Sequence, residues 1–159
     1  MNSDMRLQDL DNIFKQFGGR SQDSLLPLLH DIQDKVGYID SAHIPRIAKL
    51  LNIAPAEVHG VITYYHHFRV SPPARHVIRI CRAESCQAAG GEALLKQAKK
   101  SAQCDLHESS ADGAITLEPV YCLGLCAASP ALQVDEDTLH ADMTPQKLED
   151  LITRLKKDA

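Results

Sequence analysis

The sequence predicts a mixed α/β (α+β) protein in two parts: an N-terminal helical bundle over residues 1–73 and a second domain of strands and helices over residues 74–159. Three observations predict it. Apolar residues recur at three- and four-residue spacing before Ser71-Pro72-Pro73, short β-branched runs appear only after it, and the proline pair itself breaks the chain between the two textures. A chain of 159 residues has room for a small domain plus a helical appendage.

A first, weaker helix is predicted over Leu7 to Phe17, ahead of Gly18-Gly19. Leu25, Leu28, Leu29, Ile32 and Val36 then share one helical face and end at Gly37, which suits a left-handed glycine terminus. Ser41 is the predicted cap of the next helix, with Ile44, Ile47, Ala48 and Leu51 as its stripe and Asn52 closing it. Pro55 starts another helix, with Glu57 favourably placed near its N-terminus. This helix is expected to carry Val58, Val61, Ile62, Tyr65 and Phe68 and to stop before Ser71, with Tyr64, Tyr65 and Phe68 in the core.

Beyond the prolines, His76 to Ile80 reads as a strand leading into Cys81. Gly91 to Ala102 reads as a helix. Asp112-Gly113 signals a hairpin between 106–108 and 114–117, and strand character continues through Val120-Tyr121 to Cys122. A second hairpin pairs 131–134 with 138–140 around Asp135-Glu136-Asp137. Thr144 and Pro145 open a last helix, in which Leu148, Leu151, Ile152 and Leu155 share a face and Lys156-Lys157 favour the C-terminal end.

Composition narrows the function. Apolar content of 44% supports a packed core, and 4% aromatic content with no Trp leaves Leu, Ile, Val and Ala to build it. A net charge of −4 without a basic run argues against nucleic acid or an anionic membrane as partner. Met1-Asn2-Ser3-Asp4 has no signal-peptide character, and no apolar run approaches the ~20 residues that span a bilayer. The expected location is therefore cytoplasmic, without membrane insertion. In that reducing compartment five cysteines point to metal or redox chemistry rather than to disulfides.

Four of the five are paired: Cys81-x4-Cys86 and Cys122-x3-Cys126, with 35 residues between the pairs. Each pair follows a predicted strand and is expected on a loop, so two adjacent strand ends could gather four thiolates. Such a set suits tetrahedral zinc, which would make this a zinc-stabilised interaction module, or an iron–sulfur cluster. The gaps are wider than the two-residue gaps of zinc ribbons and better suit two irons, with one sulfur pair on each. Gly124, Ala127 and Ala128 allow close backbone approach, so that peptide N–H groups can donate to sulfur. Leu123 and Leu125 are placed to screen the site from water. Arg82 is a candidate for raising a reduction potential unless it is simply solvated. Cys104 stands outside the pattern and reads as structural.

At these residues the chain resembles the thioredoxin-like [2Fe–2S] ferredoxins, a group that includes the small peripheral subunit of respiratory complex I, its counterpart in NAD-linked hydrogenases and the gamma subunit of NAD-dependent formate dehydrogenase. Cys-x4-Cys followed by Cys-Leu-Gly-x-Cys carries the resemblance. Residues 81–88, Gly91-Glu92-Ala93-Leu94, residues 118–127 and His30-Asp31-Ile32-Gln33 look most like the formate dehydrogenase member.

The resemblance implies a thioredoxin-like domain beside a helical bundle and one [2Fe–2S] cluster on Cys81, Cys86, Cys122 and Cys126. It also implies a non-catalytic electron-carrier role in a formate dehydrogenase, with a complex I or hydrogenase counterpart as the alternative. FMN and NAD are then expected in a flavin- and NAD-binding beta subunit, and the molybdenum cofactor in an alpha subunit. The chain itself has no phosphate-binding glycine loop. Whether the isolated chain forms a homodimer is left open.

The remaining reactive residues read as ordinary. His59, His66 and His67 lack a carboxylate to complete a metal triad and are expected to be exposed or to face a partner. Glu84 reads as a solvated carboxylate. Tyr64, His66, His67, Phe68 and Arg69 are the candidate docking face at the end of the fourth helix.

Overall fold

The helices of the first part follow from their apolar spacing and their stop signals. In the computed structural model, which describes residues 3–157 and side chains from Gln8 onward, α1 spans Ser3–Gln16, α2 Leu25–Val36, α3 Ile44–Leu51 and α4 Pro55–Tyr64. Gly37 ends α2 at φ +95°, its N–H donating to the Gln33 carbonyl at 2.7 Å, and Asn52 ends α3 at φ +53°. Both terminators act as expected. Ile13, Leu28, Leu29, Ile32, Ile47 and Val58 are fully enclosed and form the core of this unit. Glu57 accepts from the Ala54 N–H at 2.7 Å across the α4 N-terminus.

Three expectations here need correction. The cap before α3 is Asp40, whose carboxylate accepts from the Ala42 N–H at 2.9 Å and starts a short 3₁₀ turn, Ser41–His43, ahead of the helix. Helix α4 stops at Tyr64 instead of running to the prolines. The cause is the buried Gln33 of α2: its amide N–H donates to the His67 carbonyl and its amide oxygen accepts from the Arg69 N–H, both at 2.7 Å. The backbone of 67–69 is thus satisfied by a side chain, and Phe68 folds inward against His30. Tyr64 and Tyr65 are exposed, at 76% and 42%, and are not core residues.

The chain divides into two compact units, Met1–Pro72 and Pro73–Ala159. The second is a five-stranded mixed sheet in the order β2-β3-β1-β4-β5, with β1 His76–Cys81, β2 Glu108–Ser109, β3 Ile115–Val120, β4 Leu132–Val134 and β5 Thr138–His140. β1 and β3 are parallel, and the other pairings are antiparallel. A single helical turn, α5 Glu84–Cys86, follows β1. Helices α6, Glu92–Ala102, and α7, Pro145–Lys157, pack on each other and both reach β3. Ile78, Ile80, Leu94, Ile115, Leu117 and Leu148 fill the layer between helices and sheet. This is the mixed sheet with flanking helices that the resemblance implies.

The first hairpin is shorter than expected. Its turn is held by Asp112, which accepts from the Ser110 hydroxyl and from the Ala114 N–H. On the other side His107 has φ +65°, the antiparallel ladder is confined to Glu108–Ser109, and Leu106 meets Leu117 in an isolated parallel bridge. Strand β3 ends at Val120, leaving Tyr121 exposed. Among the described residues no helix is long and apolar enough to cross a membrane.

Candidate metal centre

The parallel pairing of β1 with β3 sets Cys81 opposite Val120, so the two strands deliver the two cysteine segments to the same end of the sheet. The Arg82 N–H donates to the Val120 carbonyl at 2.7 Å, and the Cys81 N–H to the Ala131 carbonyl at 3.1 Å. Cys86 does not lie on an open loop. It ends the single turn of α5, which buries it in the same small cluster as Cys81.

Both of these cysteines are buried with Ala131, and Ala83, Val120, Leu123 and Leu125 pack around them. The two leucines come from the second cysteine loop. They cover the first pair, in the screening position expected for them.

Cys122 and Cys126 are exposed, and their sulfurs are 3.9 Å apart. Two thiolates on one tetrahedral metal, each ~2.3 Å from it, are separated by about 3.8 Å, so this pair already has the spacing of two ligands on one metal. The loop reaches it through two left-handed residues, Cys122 at φ +106° and Gly124 at φ +76°. The Gly124 N–H donates to the Cys122 sulfur at 3.4 Å, the peptide-to-sulfur bond expected of this glycine. Among the described residues no three His, Cys, Asp or Glu side chains converge on one point. The thiols stand as two pairs, a disposition that fits a two-iron cluster better than a single zinc ion.

Electrostatics differ between the pairs. Burial pushes the Cys86 thiol up, but hydrogen bonds with Ser129, Cys81 and the Ala131 backbone outweigh it and leave its pKa below the ordinary thiol value. The hydrogen bond with Cys122 holds the Cys126 thiol above that value, and the charges of Cys122, Cys86 and Cys81 act in the same direction. All four sulfurs therefore belong to one electrostatic neighbourhood.

Three residues escaped sequence reasoning. Gly91 is buried where a Cβ would stand 2.6 Å from the Cys86 carbonyl oxygen. Ser85 and Ser129 hydrogen-bond to each other at 3.0 Å and connect the two cysteine segments. Only the position of each serine near a cysteine hinted at them. Arg82 is not simply solvated: it pairs with Glu92 at 2.7 Å, is 21% exposed, and its Nη1 is buried with no hydrogen-bond partner. Cys104 lies apart, half-buried against the core of the second unit, where burial first and Glu108 second push its thiol up. Glu84 is exposed, as are His59, His66 and His67.

With this geometry in hand, known proteins decide the family. A family model described as "Thioredoxin-like [2Fe-2S] ferredoxin" matches residues 10–156. The chain belongs to that family. It is 36% identical over 121 residues to the E subunit of NADH-quinone oxidoreductase from Pseudomonas aeruginosa, covering 76% of this chain and 72% of that one. It is 34% identical over 125 residues to the Escherichia coli counterpart of the same name, covering 79% and 75%. It is 30% identical over 133 residues to NADH-quinone oxidoreductase subunit 2 of Thermus thermophilus, covering 84% and 74%.

Among solved structures, an NAD⁺-reducing [NiFe]-hydrogenase in the H₂-reduced state superposes with a TM-score of 0.70 at 21% identity, which shows a shared fold. The match covers 88% of this chain but only 23% of that hydrogenase chain.

The cofactor is accordingly a single [2Fe–2S] cluster, and the role is electron transfer. The NADH-quinone oxidoreductase relatives support the complex I alternative better than the formate dehydrogenase reading of the sequence.

Proposed function

We propose that this chain is a non-catalytic electron-carrier subunit of an NADH-linked oxidoreductase of the complex I or hydrogenase kind, with Cys81, Cys86, Cys122 and Cys126 as the cluster ligands. The observation that carries the ligand set is the meeting of two cysteine pairs at adjacent strand ends, one pair with its sulfurs at 3.9 Å. The cluster supplies one-electron redox chemistry. The chain's own residues do the rest: Leu123 and Leu125 cover the inner sulfurs, Gly124 donates to Cys122, and the exposed Cys122–Cys126 loop is the side on which electrons are exchanged.

A flavin- and NAD-binding subunit is the proposed redox partner. Formate dehydrogenase is the second reading, favoured by the residues of the two cysteine motifs, Cys81 to Ala88 and Glu118 to Ala127. Purification of the native complex, followed by assay with NADH, quinone, hydrogen and formate, separates the readings. Reduction of NAD by formate supports the formate dehydrogenase reading; NADH-dependent quinone reduction or hydrogen-dependent NAD reduction supports the first.

A further inference from the structure

Four atoms between the cysteine segments form a closed hydrogen-bond problem. The Ser85 hydroxyl lies 3.1 Å from the Cys126 carbonyl oxygen and 3.0 Å from the Ser129 hydroxyl. The Ser129 hydroxyl lies 2.9 Å from the same carbonyl and 3.5 Å from the Cys86 sulfur. As a free thiol, Cys86 donates to Ser129. As an iron-bound thiolate it has no hydrogen and can only accept.

Each hydroxyl carries one hydrogen. Two hydrogens must then serve two acceptors, the Cys126 carbonyl and the Cys86 sulfur. One assignment serves both: Ser85 donates to the carbonyl, and Ser129 turns its hydrogen to the sulfur. In each alternative, in which one serine donates to the other or both donate to the carbonyl, one acceptor is left empty. Ser85 precedes Cys86 and Ser129 follows Cys126, so each serine crosses to the opposite segment.

We propose that Ser129 is a positioning residue that donates its hydroxyl hydrogen to the cluster-bound Cys86 sulfur and raises the cluster's reduction potential, and that Ser85 enables this by occupying the Cys126 carbonyl. The inference rests on Cys86 being a ligand. Reduction adds one electron, and hence one negative charge, to the cluster and its sulfurs. A donor aimed at one of those sulfurs stabilises the reduced state more than the oxidised state. The hydrogen stays on the Ser129 oxygen throughout, so no proton is taken up.

The test is an optical redox titration of the full chain, loaded with iron and sulfide, in Ser129→Ala, Ser129→Thr, Ser85→Ala and the double alanine variant. Ser129→Ala is expected to shift the reduced-to-oxidised ratio at fixed potential about tenfold toward oxidised, equal to ~59 mV for a one-electron couple. Ser129→Thr restores the wild-type value. Ser85→Ala moves in the same direction as Ser129→Ala, because the carbonyl at 2.9 Å then competes for the Ser129 hydrogen. The double variant matches Ser129→Ala rather than summing the two.

A fully loaded Ser129→Ala protein at the wild-type potential overturns the proposal, as does Ser129→Thr at the alanine potential. If Ser129→Ala fails to load, Ser85→Ala decides by the same measurement. The ligand reading is tested separately by the iron content of Cys86→Ala: undiminished iron there defeats the ligand assignment, whatever the serine variants show.

Discussion

Gly91 supports Cys86 from behind: a methyl group at position 91 would lie 2.6 Å from the Cys86 carbonyl oxygen and 3.0 Å from its carbonyl carbon. The obstacle is backbone, so it cannot be relieved by a rotamer change. Gly91→Ala should therefore displace the turn that carries Cys86. Overpacking of this kind costs about 1–3 kcal/mol. The variant is expected to show that loss in chemical denaturation and to retain less iron than wild type. Gly90→Ala is the control, since its Cβ would meet no atom within 4 Å; at φ +98° it should lose stability but keep its iron.

Gln33 ties the 67–69 segment to α2 through two hydrogen bonds of 2.7 Å. Gln33→Leu keeps the apolar stem and removes both partners, leaving the His67 carbonyl and the Arg69 N–H to find water. Each buried polar group left unpaired costs about 1–3 kcal/mol, so a total loss of about 2–6 kcal/mol is expected in urea unfolding. The segment's amides should also exchange faster with deuterium.

The Asp112 carboxylate is held near a pKa of about 2, against an ordinary 3.8, first by the Ser110 hydroxyl and then by the Ala114 N–H. Its pKa is depressed in the folded state, so its contribution to stability is complete above about pH 4. That contribution is lost as pH falls through about 2. Asp112→Asn should flatten this part of the pH–stability curve, measured as the urea midpoint between pH 5 and pH 2.

Cys104→Ala should keep its cluster, because Cys104 packs at the edge of the second unit's core, apart from the other four cysteines. Alanine at Cys81, Cys86, Cys122 or Cys126 should each cost the visible spectrum. Losing the metal should also lower the melting temperature of the second unit, since the cluster cross-links its two cysteine segments only when metal is bound. Bleaching of Cys104→Ala with colour retained at one of the other four would contradict the assignment.

Much of the fold was legible where local signals agree with packing. Gly37 and Asn52 terminate their helices because left-handed backbone is a local property of those residues, and the stripe of α7 follows the helical period. The early end of α4 was hidden because its cause, Gln33, lies 34 residues from His67 in sequence.

At the metal centre the two cysteine pairs could be read from spacing, and the loop glycine from its neighbours. Gly91 could not, because its role depends on how tightly the Cys86 turn closes on it. Ser85 and Ser129 could not either, because their roles depend on distances across segments about 40 residues apart. Arg82 was half legible: its charge is in the sequence, but its ion pair with Glu92 required the fold.

The central claim is that these two cysteine pairs hold one two-iron cluster, and metal and sulfide analysis of the anaerobically purified chain tests it most directly. The account predicts about two irons and two acid-labile sulfides per chain, with a paramagnetic signal only after one-electron reduction. Stoichiometric zinc with neither iron nor labile sulfide would contradict it.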